Sequence, residues 1–198
     1  MGRDSDAKER ILENARELIY ARSYASVGVQ EICNQAKVKK GSFYHFFPSK
    51  RDLTLAVLEE CRKQSAEHAK ISFARDIPPL QRFDRHIQFG YECQKRLKEA
   101  SGHMPGCPFA NLAGELSTQD EVIRQRLNEI FLELIAPFET ALEDAVRQGD
   151  IPEVEITASA EAIFAYLEGI VLLAKTRNDP ELILKLGQNI SQVLIKKT

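Results

Sequence analysis

Three side chains that can bind phosphate share one side of a short segment near the N-terminus. Lys40, Tyr44 and His45 stand at positions i, i+4 and i+5, so an α-helix would place them together. Lysine neutralises phosphate charge, whereas tyrosine and histidine donate hydrogen bonds to phosphate oxygens or base edges. Gly41 lets the backbone come close to a bound molecule. The segment predicts a surface for double-stranded nucleic acid, although a solvated lysine face on an ordinary helical hairpin has the same composition.

A cysteine at the predicted start of a helix is the second group that could do chemistry. Cys107 precedes Pro108, which suits the first position of a helix, so the thiol would occupy the N-cap. Unpaired N–H groups and the helix dipole there would lower the thiol pKa and favour the thiolate, with His103 close by in the loop. Such a thiolate can be alkylated by electrophiles or oxidised. The alternative is a small packing residue that starts a helix.

The same thiol leaves two other functions open. A metal-sensing regulator would use Cys93, His103 and Cys107, but their spacing matches no zinc template, so no metal site is predicted. A thiol enzyme would use Cys107 as nucleophile and His103 as base. Because phosphate-binding glycine loops, a Gly-x-Ser-x-Gly elbow and a HExxH pair are missing from the sequence, neither catalysis nor a cofactor is expected.

Helical periodicity indicates how the first surface would be positioned. One predicted helix has its apolar residues at i, i+3, i+4 and i+7, namely Val29, Ile32, Cys33 and Ala36. Gly28 would cap it. A second helix follows from about Lys39 to Phe47, with its phenylalanines on the inner side. Together with a helix over about residues 6–23, this predicts a three-helix domain that contains a helix-turn-helix.

Residues 6–60 resemble the DNA-binding domain of the TetR (tetracycline-repressor-like) family of bacterial transcription regulators. The matching residues are Tyr24, Val29, Ile32, Ala36, Val38, the run from Lys40 to Phe47, Lys50 and Leu53. The resemblance implies that the sugar-phosphate backbone is contacted by Lys40, Tyr44, His45 and Lys50. It implies that bases or phosphates are contacted by Gln30, Lys39, Gly41 and Ser42.

The resemblance also implies a mode of action. It predicts a cytoplasmic homodimer that binds an inverted-repeat operator as a repressor and responds to a small-molecule or electrophile effector. The stretch around Cys107 resembles a segment in electrophile-sensing members of the family. Central aromatic residues are expected to line the effector pocket, and the effector-sensing residues predicted are Cys107, His103, Phe109, Phe89 and Tyr166.

Three residues depart from the family pattern. Lys37 stands where the turn between the paired helices commonly has glycine, so it would have to adopt a left-handed conformation at some cost in strain. Lys39 replaces a small hydroxyl residue and adds charge beside the DNA. Val27 replaces a threonine that often caps the second helix and binds phosphate.

Charge is distributed unevenly along the chain. The net charge of −2 comes from 27 Lys and Arg against 29 Asp and Glu. Residues 1–50 nevertheless hold nine basic and six acidic residues, which leaves 18 basic and 23 acidic residues for the rest. The excess of positive charge therefore lies on the predicted DNA-binding part.

The remaining sequence predicts an all-α chain of about nine helices, with a DNA-binding domain at residues 1–50 and an effector-binding and dimerisation domain at residues 51–198. A long helix would run from about Lys50 to Arg75, another from a Thr118 cap to Gln148, and the last from Pro180 to about Lys196. The last two predicted helices, from about Thr157 to Asn178 and from Pro180 to about Lys196, are strongly apolar. Their small-residue stripe of Ala158, Ala162, Ala165, Gly169 and Leu173, with Val193 and Leu194 further on, indicates half of a four-helix dimer interface.

Cysteine usage and hydropathy suggest the compartment. Four cysteines without close pairing indicate reduced thiols in a cytoplasm. With no evident stretch of about 18 apolar residues and no signal peptide, neither membrane insertion nor secretion is expected.

Overall fold

The computed structural model describes residues 2–190. Within that range the chain forms nine α-helices and no strand, which confirms the predicted fold class. The helices are α1 (Gly2–Ala21), α2 (Val29–Gln35), α3 (Lys40–Phe46), α4 (Lys50–Ser72), α5 (Pro79–Ser101), α6 (Pro108–Leu116), α7 (Glu121–Gln148), α8 (Ile156–Arg177) and α9 (Glu181–Gly187). The predicted end of the last helix, with Val193 and Leu194, lies outside the described residues.

The chain packs as two compact units. The first unit comprises Met1–Lys63 and Pro108–Asn128, and the second comprises Gln64–Cys107 and Glu129–Thr198. Both α4 and α7 begin in the first unit and end in the second. The boundary predicted near residue 50 was drawn between two functions, whereas these units are defined by packing. The assignment of the two functions to residues 1–50 and 51–198 stays a prediction.

The core of the first unit is made by the predicted apolar stripes. Helices α1, α2 and α3 contact one another. The apolar side chains in this unit with no exposed area are Ile11, Ala15, Val27, Ile32, Cys33, Phe43, Leu53, Leu58 and Ile123. Helix α6 contributes three further buried residues, Phe109, Leu112 and Leu116. The domain that carries α3 is therefore completed by a segment from the middle of the chain.

The second unit has an apolar core that also buries an ion pair. Phe83 and Phe138 lie in that core with side chains from α8 and α9. Arg82, only 2% exposed, donates to Asp144 on α7 at 2.5 Å. Two further donations from its guanidinium, to the carbonyls of Ile77 and Arg75, hold the segment between α4 and α5.

Two helix ends differ from the prediction. Helix α7 is capped by Asp120 rather than Thr118, because the Asp120 carboxylate accepts from the N–H groups of Val122 and Ile123 at 3.1 and 3.2 Å. Helix α4 ends at Ser72 rather than near Arg75, since the carbonyl of Arg75 is bound by the Arg82 side chain instead of by a helical N–H.

Helix α8 has more apolar exposure than a core helix requires. By length and composition alone it could cross a membrane, so the expectation that no such stretch exists was wrong. That is weak support for a membrane span, because core helices pass the same test. Only 17% of its apolar window is buried within the chain, and Leu172 is 62% exposed.

Candidate nucleic-acid interface and thiol site

The turn between α2 and α3 has the backbone conformation that the sequence predicted. Lys37 has φ of 54°, in the left-handed region that glycine usually occupies. Its N–H donates to Asn34 and that of Val38 to Cys33, which ends α2 tightly. At the other end of α2, Gly28 is the N-cap and its carbonyl accepts from Glu31 and Ile32. Interactions between residues close in sequence therefore determine where α2 begins and ends.

Aromatic packing holds α3 in place and turns its polar side outward. Phe43 is fully buried and Phe47 is 4% exposed. The side chain of Tyr44 is 51% exposed, and its ring meets that of Phe43 edge-on at 5.1 Å. The exposed residues of the predicted contact set are Gln30, Lys39, Lys40, Gly41, Tyr44 and His45, and Ser42 is partly exposed. These residues form one basic and aromatic surface, which we call the α3 face.

Lys50 differs from the other residues predicted to contact DNA. Its ammonium donates to the carbonyl of Tyr24 and lies 4.0 Å from the centroid of the Tyr24 ring. Burial lowers the pKa of Lys50, and the nearby Glu115 carboxylate opposes that shift. Lys50 is thus bound to the loop between α1 and α2, and its contact with phosphate stays a prediction.

Glu115 on α6 is a residue that sequence reasoning missed. Its carboxylate accepts from the N–H of Tyr24 at 2.8 Å and from the N–H of Ala25 at 2.7 Å. Next to this contact, Arg51 and Asp120 form an ion pair at 3.6 Å. Because Glu115 is about 90 residues from its partners in the sequence, no local pattern could have revealed the contact.

The loop that carries Cys107 is held by two amide side chains. Gln94 both donates to the carbonyl of Gly106 at 3.0 Å and accepts from its N–H at 3.1 Å. Asn178 accepts from the N–H of Met104 at 2.9 Å and donates to the carbonyl of Gly102 at 3.1 Å. Since α6 begins at Pro108, Cys107 stands directly before the helix, as predicted.

The Cys107 thiol makes a hydrogen bond with Glu168, a residue that the sequence did not suggest, and the role of His103 stays a prediction. Burial raises the pKa of the Glu168 carboxyl, and the hydrogen bond with Cys107 opposes that shift. His103 is exposed, and its carbonyl accepts from the Ser101 hydroxyl at 2.9 Å. The arrangement places a carboxyl group where it can accept the thiol proton.

The other predicted effector residues have separate surroundings. Phe89 packs against His68 with ring centroids 3.8 Å apart, and the Tyr166 hydroxyl donates to the carbonyl of Leu186. Phe109 is buried and belongs to the first unit. Within residues 2–190 no three His, Cys, Asp or Glu side chains are placed to hold a metal ion. The assignment of these residues to an effector site stays a prediction.

An aromatic cluster in the second unit surrounds a buried histidine. The ring of His86 lies 5.3 Å from those of Phe73 and Phe138, and Phe138 in turn meets Phe83 and Phe164. Burial lowers the pKa of His86 to about 4, so its imidazole is neutral at pH 7. Among the described residues, the buried side-chain polar atoms that have no partner are His86 Nδ1 and Glu168 Oε2.

A cavity of about 280 Å³ also lies in the second unit. Its lining comes from α5, α7, α8, α9 and the loop before α8, with Phe83, Leu142, Ile163 and Gly187 among the lining residues. None of the five predicted effector residues lines it. The sequence offered no signal for it, because its apolar lining residues have the same spacing as ordinary core.

Comparison with known proteins agrees with this architecture. Two family models match: bacterial regulatory proteins of the tetR family over residues 11–57, and the tetracyclin repressor-like C-terminal domain over residues 93–188. An uncharacterized HTH-type transcriptional regulator in the lacX 3' region of Lactococcus lactis subsp. lactis is 31% identical over 180 residues, covering 88% of this chain and 86% of that protein.

Two further proteins extend the comparison. The HTH-type transcriptional repressor NemR of Escherichia coli K12 is 27% identical over 141 residues, covering 71% of this chain and 69% of that protein. The crystal structure of the regulatory protein TetR from Rhodobacter sphaeroides superposes with a TM-score of 0.85 at 26% identity, covering 94% of this chain and 97% of that one. The chain belongs to the TetR family of bacterial regulatory proteins, and it is a DNA-binding transcriptional regulator, not an enzyme.

Proposed function

We propose that this chain is a homodimeric cytoplasmic repressor that binds an inverted-repeat operator through the α3 face and leaves it when an effector reaches the second unit. The observation that carries the proposal is the α3 face itself. Exposed Lys39, Lys40, Tyr44 and His45 surround the buried Phe43 in sequence, so the helix backbone that presents them is held in place. A rigid basic helix suits the major groove, where such a helix reads with its N-terminal residues.

A binding assay with matched variants tests this function. Fluorescence anisotropy with the DNA upstream of the protein's own gene should give sequence-specific binding. Lys40→Ala combined with Tyr44→Ala should weaken it at least a hundredfold and reduce the salt slope by about 2 per dimer, since two lysine–phosphate contacts are lost. The control is Lys63→Ala, an exposed lysine on α4 paired with Glu60. Equal affinity of the double variant and the control would contradict the role of the α3 face.

The exposed side of α8 supports the dimer. Ala158, Ala162, Ala165, Gly169 and Leu173, the predicted stripe, are all exposed. Small residues allow close helix approach, and Leu172 adds apolar area that water would otherwise cover. Ala165→Arg should give a monomer in sedimentation, whereas Gln81→Arg, at an exposed site on α5, should leave the dimer intact. A dimeric Ala165→Arg protein would exclude this face.

The groups near Cys107 and His86 support an uncharged effector. The imidazole of His86 is neutral at pH 7 and lies among aromatic rings, where a charged ligand would lose its hydration without a counter-ion. His86 Nδ1 and Glu168 Oε2 are buried without hydrogen-bond partners, so each can accept or donate a bond to a polar group of a ligand. An α,β-unsaturated carbonyl compound is uncharged, has a carbonyl acceptor and reacts with thiols such as that of Cys107.

Addition of the Cys107 thiol to that compound needs no further reactant. Glu168 accepts the thiol proton, and the sulfur bonds to the β carbon as the π bond between the α and β carbons breaks. Its electron pair then takes the proton from Glu168 at the α carbon, which leaves a saturated thioether. The raised pKa of Glu168 makes it the stronger base for this transfer. In the proposed response, the adduct displaces α4, which begins at Lys50 in the first unit and ends in the second, and the operator is released.

N-ethylmaleimide is a suitable probe for this response. One equivalent should add to Cys107, as read by intact and peptide mass, and should release the operator. Cys107→Ser should bind DNA and ignore the reagent, while the control Cys93→Ser should respond as the wild type does. Normal release from the Cys107→Ser protein would exclude thiol sensing at this position.

A further inference from the structure

The peptide unit of Tyr24 is bound from two sides by side chains of other helices. Its N–H donates to Glu115 on α6, and its carbonyl accepts from Lys50 at the start of α4. The adjacent N–H of Ala25 donates to the second oxygen of the same Glu115 carboxylate. The loop between α1 and α2 is therefore held by one carboxylate and one ammonium group, neither of which belongs to α1, α2 or α3.

This loop determines where α2 begins. Two residues after Ala25, the fully buried Val27 enters the core, and Gly28 then caps α2. The N–H of Val27 also donates to the carbonyl of Tyr24. Because α2 packs against α3, a shift of Tyr24 and Ala25 changes the position from which α3 meets DNA.

Helix α6 supports Glu115. Its buried residues Phe109, Leu112 and Leu116 anchor one side of the helix in the core of the first unit, and Glu115 lies next to Leu116 near the helix end. The carboxylate therefore reaches the loop from a packed helix.

We propose that Glu115 is a positioning residue for DNA binding: its carboxylate holds the loop between α1 and α2 in the arrangement that fits the operator. That the loop must fit an operator rests on the proposed function. Charge-assisted bonds from two consecutive N–H groups to one carboxylate are strong and directional, so they fix the loop more firmly than apolar contacts do.

Amide hydrogen exchange tests the contact without any DNA. In Glu115→Ala, the amides of Tyr24 and Ala25 should exchange at least tenfold faster, while those of α3 keep their protection. Glu115→Gln keeps one acceptor oxygen and should be intermediate. Glu13→Gln, an exposed residue of α1 that makes the same change of charge, is the control. Unchanged exchange at Tyr24 and Ala25 in Glu115→Ala would overturn the proposal, whether or not the wild type binds DNA.

Operator binding separates positioning from simple stabilisation. The Glu115→Ala dimer, measured where circular dichroism shows it fully folded, should bind the operator at least tenfold more weakly with an unchanged salt slope, because its phosphate contacts remain. Wild-type operator affinity of the folded Glu115→Ala dimer would overturn the proposal. Absence of sequence-specific binding by the wild type itself would instead contradict the proposed function.

Discussion

Cations serve opposite purposes in the two units. On the α3 face of the first unit, Lys39 and Lys40 are exposed and contribute little to packing. In the second unit, Arg82 is buried and its guanidinium binds Asp144 and two backbone carbonyls. A surface for a polyanion needs mobile, hydrated charge, whereas a buried charge needs complete pairing. Loss of a cation should therefore affect binding in the first unit and folding in the second.

The largest effect expected from this contrast is that of Arg82→Met. Removing one partner of a buried pair should lower the free energy of unfolding by about 3–5 kcal/mol, measured by urea denaturation. Arg147 also pairs with Asp144 but is 70% exposed, so Arg147→Met should cost less than about 1 kcal/mol. Similar losses for the two variants would mean that burial does not distinguish them.

A smaller effect concerns the buried, neutral imidazole of His86 in the second unit. His86 has a pKa of about 4 in the folded chain and an ordinary value when unfolded, so the unfolded state binds more protons between about pH 4 and 6.5. Stability is then complete above that window and falls as pH drops through it. His86→Phe should retain about 2 kcal/mol more stability at pH 4.5 than the wild type, relative to pH 7.5. His103→Phe, in the exposed loop, should keep the wild-type dependence of stability on pH. If His86→Phe kept that dependence as well, His86 would not be its cause.

The cap of α7 gives a third comparison, between observed and predicted residues. Asp120→Ala should lower stability by about 1 kcal/mol, because two N–H groups of the first turn lose their acceptor. Thr118→Ala, at the cap expected from sequence, should change it by less than about 0.5 kcal/mol. Thermal unfolding of both variants decides between the two positions.

The smallest effects come from two left-handed residues, one in each unit. Lys37→Gly should stabilise the chain by roughly 0.5 kcal/mol, because glycine adopts a φ of 54° without strain. Asn178 has a φ of 50°, yet Asn178→Gly should destabilise, since its side chain binds Met104 and Gly102. Urea denaturation should give changes of opposite sign; equal signs would mean that backbone strain outweighs the Asn178 side-chain bonds.

What the sequence could predict follows the range of each interaction. The left-handed Lys37, the Gly28 cap and the start of α6 at Pro108 depend on neighbours within a few residues, and all three were predicted. The buried seat of α3 at Phe43 follows from helical periodicity.

Contacts between distant segments could not be read in this way. Glu168 beside Cys107 and Glu115 beside Tyr24 join residues separated by 61 and 91 positions. Many acidic residues occupy equivalent helical positions, so periodicity cannot select one of them. For Cys107 the sequence suggested only the nearby His103 and gave no sign of the hydrogen bond with Glu168.

The assembly of the first unit from residues 1–63 and 108–128 has a consequence for biosynthesis and for exchange of parts. When only α1 to α4 have left the ribosome, Glu115 has not yet emerged, so the first unit remains incomplete until α6 follows. A chimaera that takes its first unit from a related protein would likewise need the segment equivalent to residues 108–128 as well as the N-terminal segment.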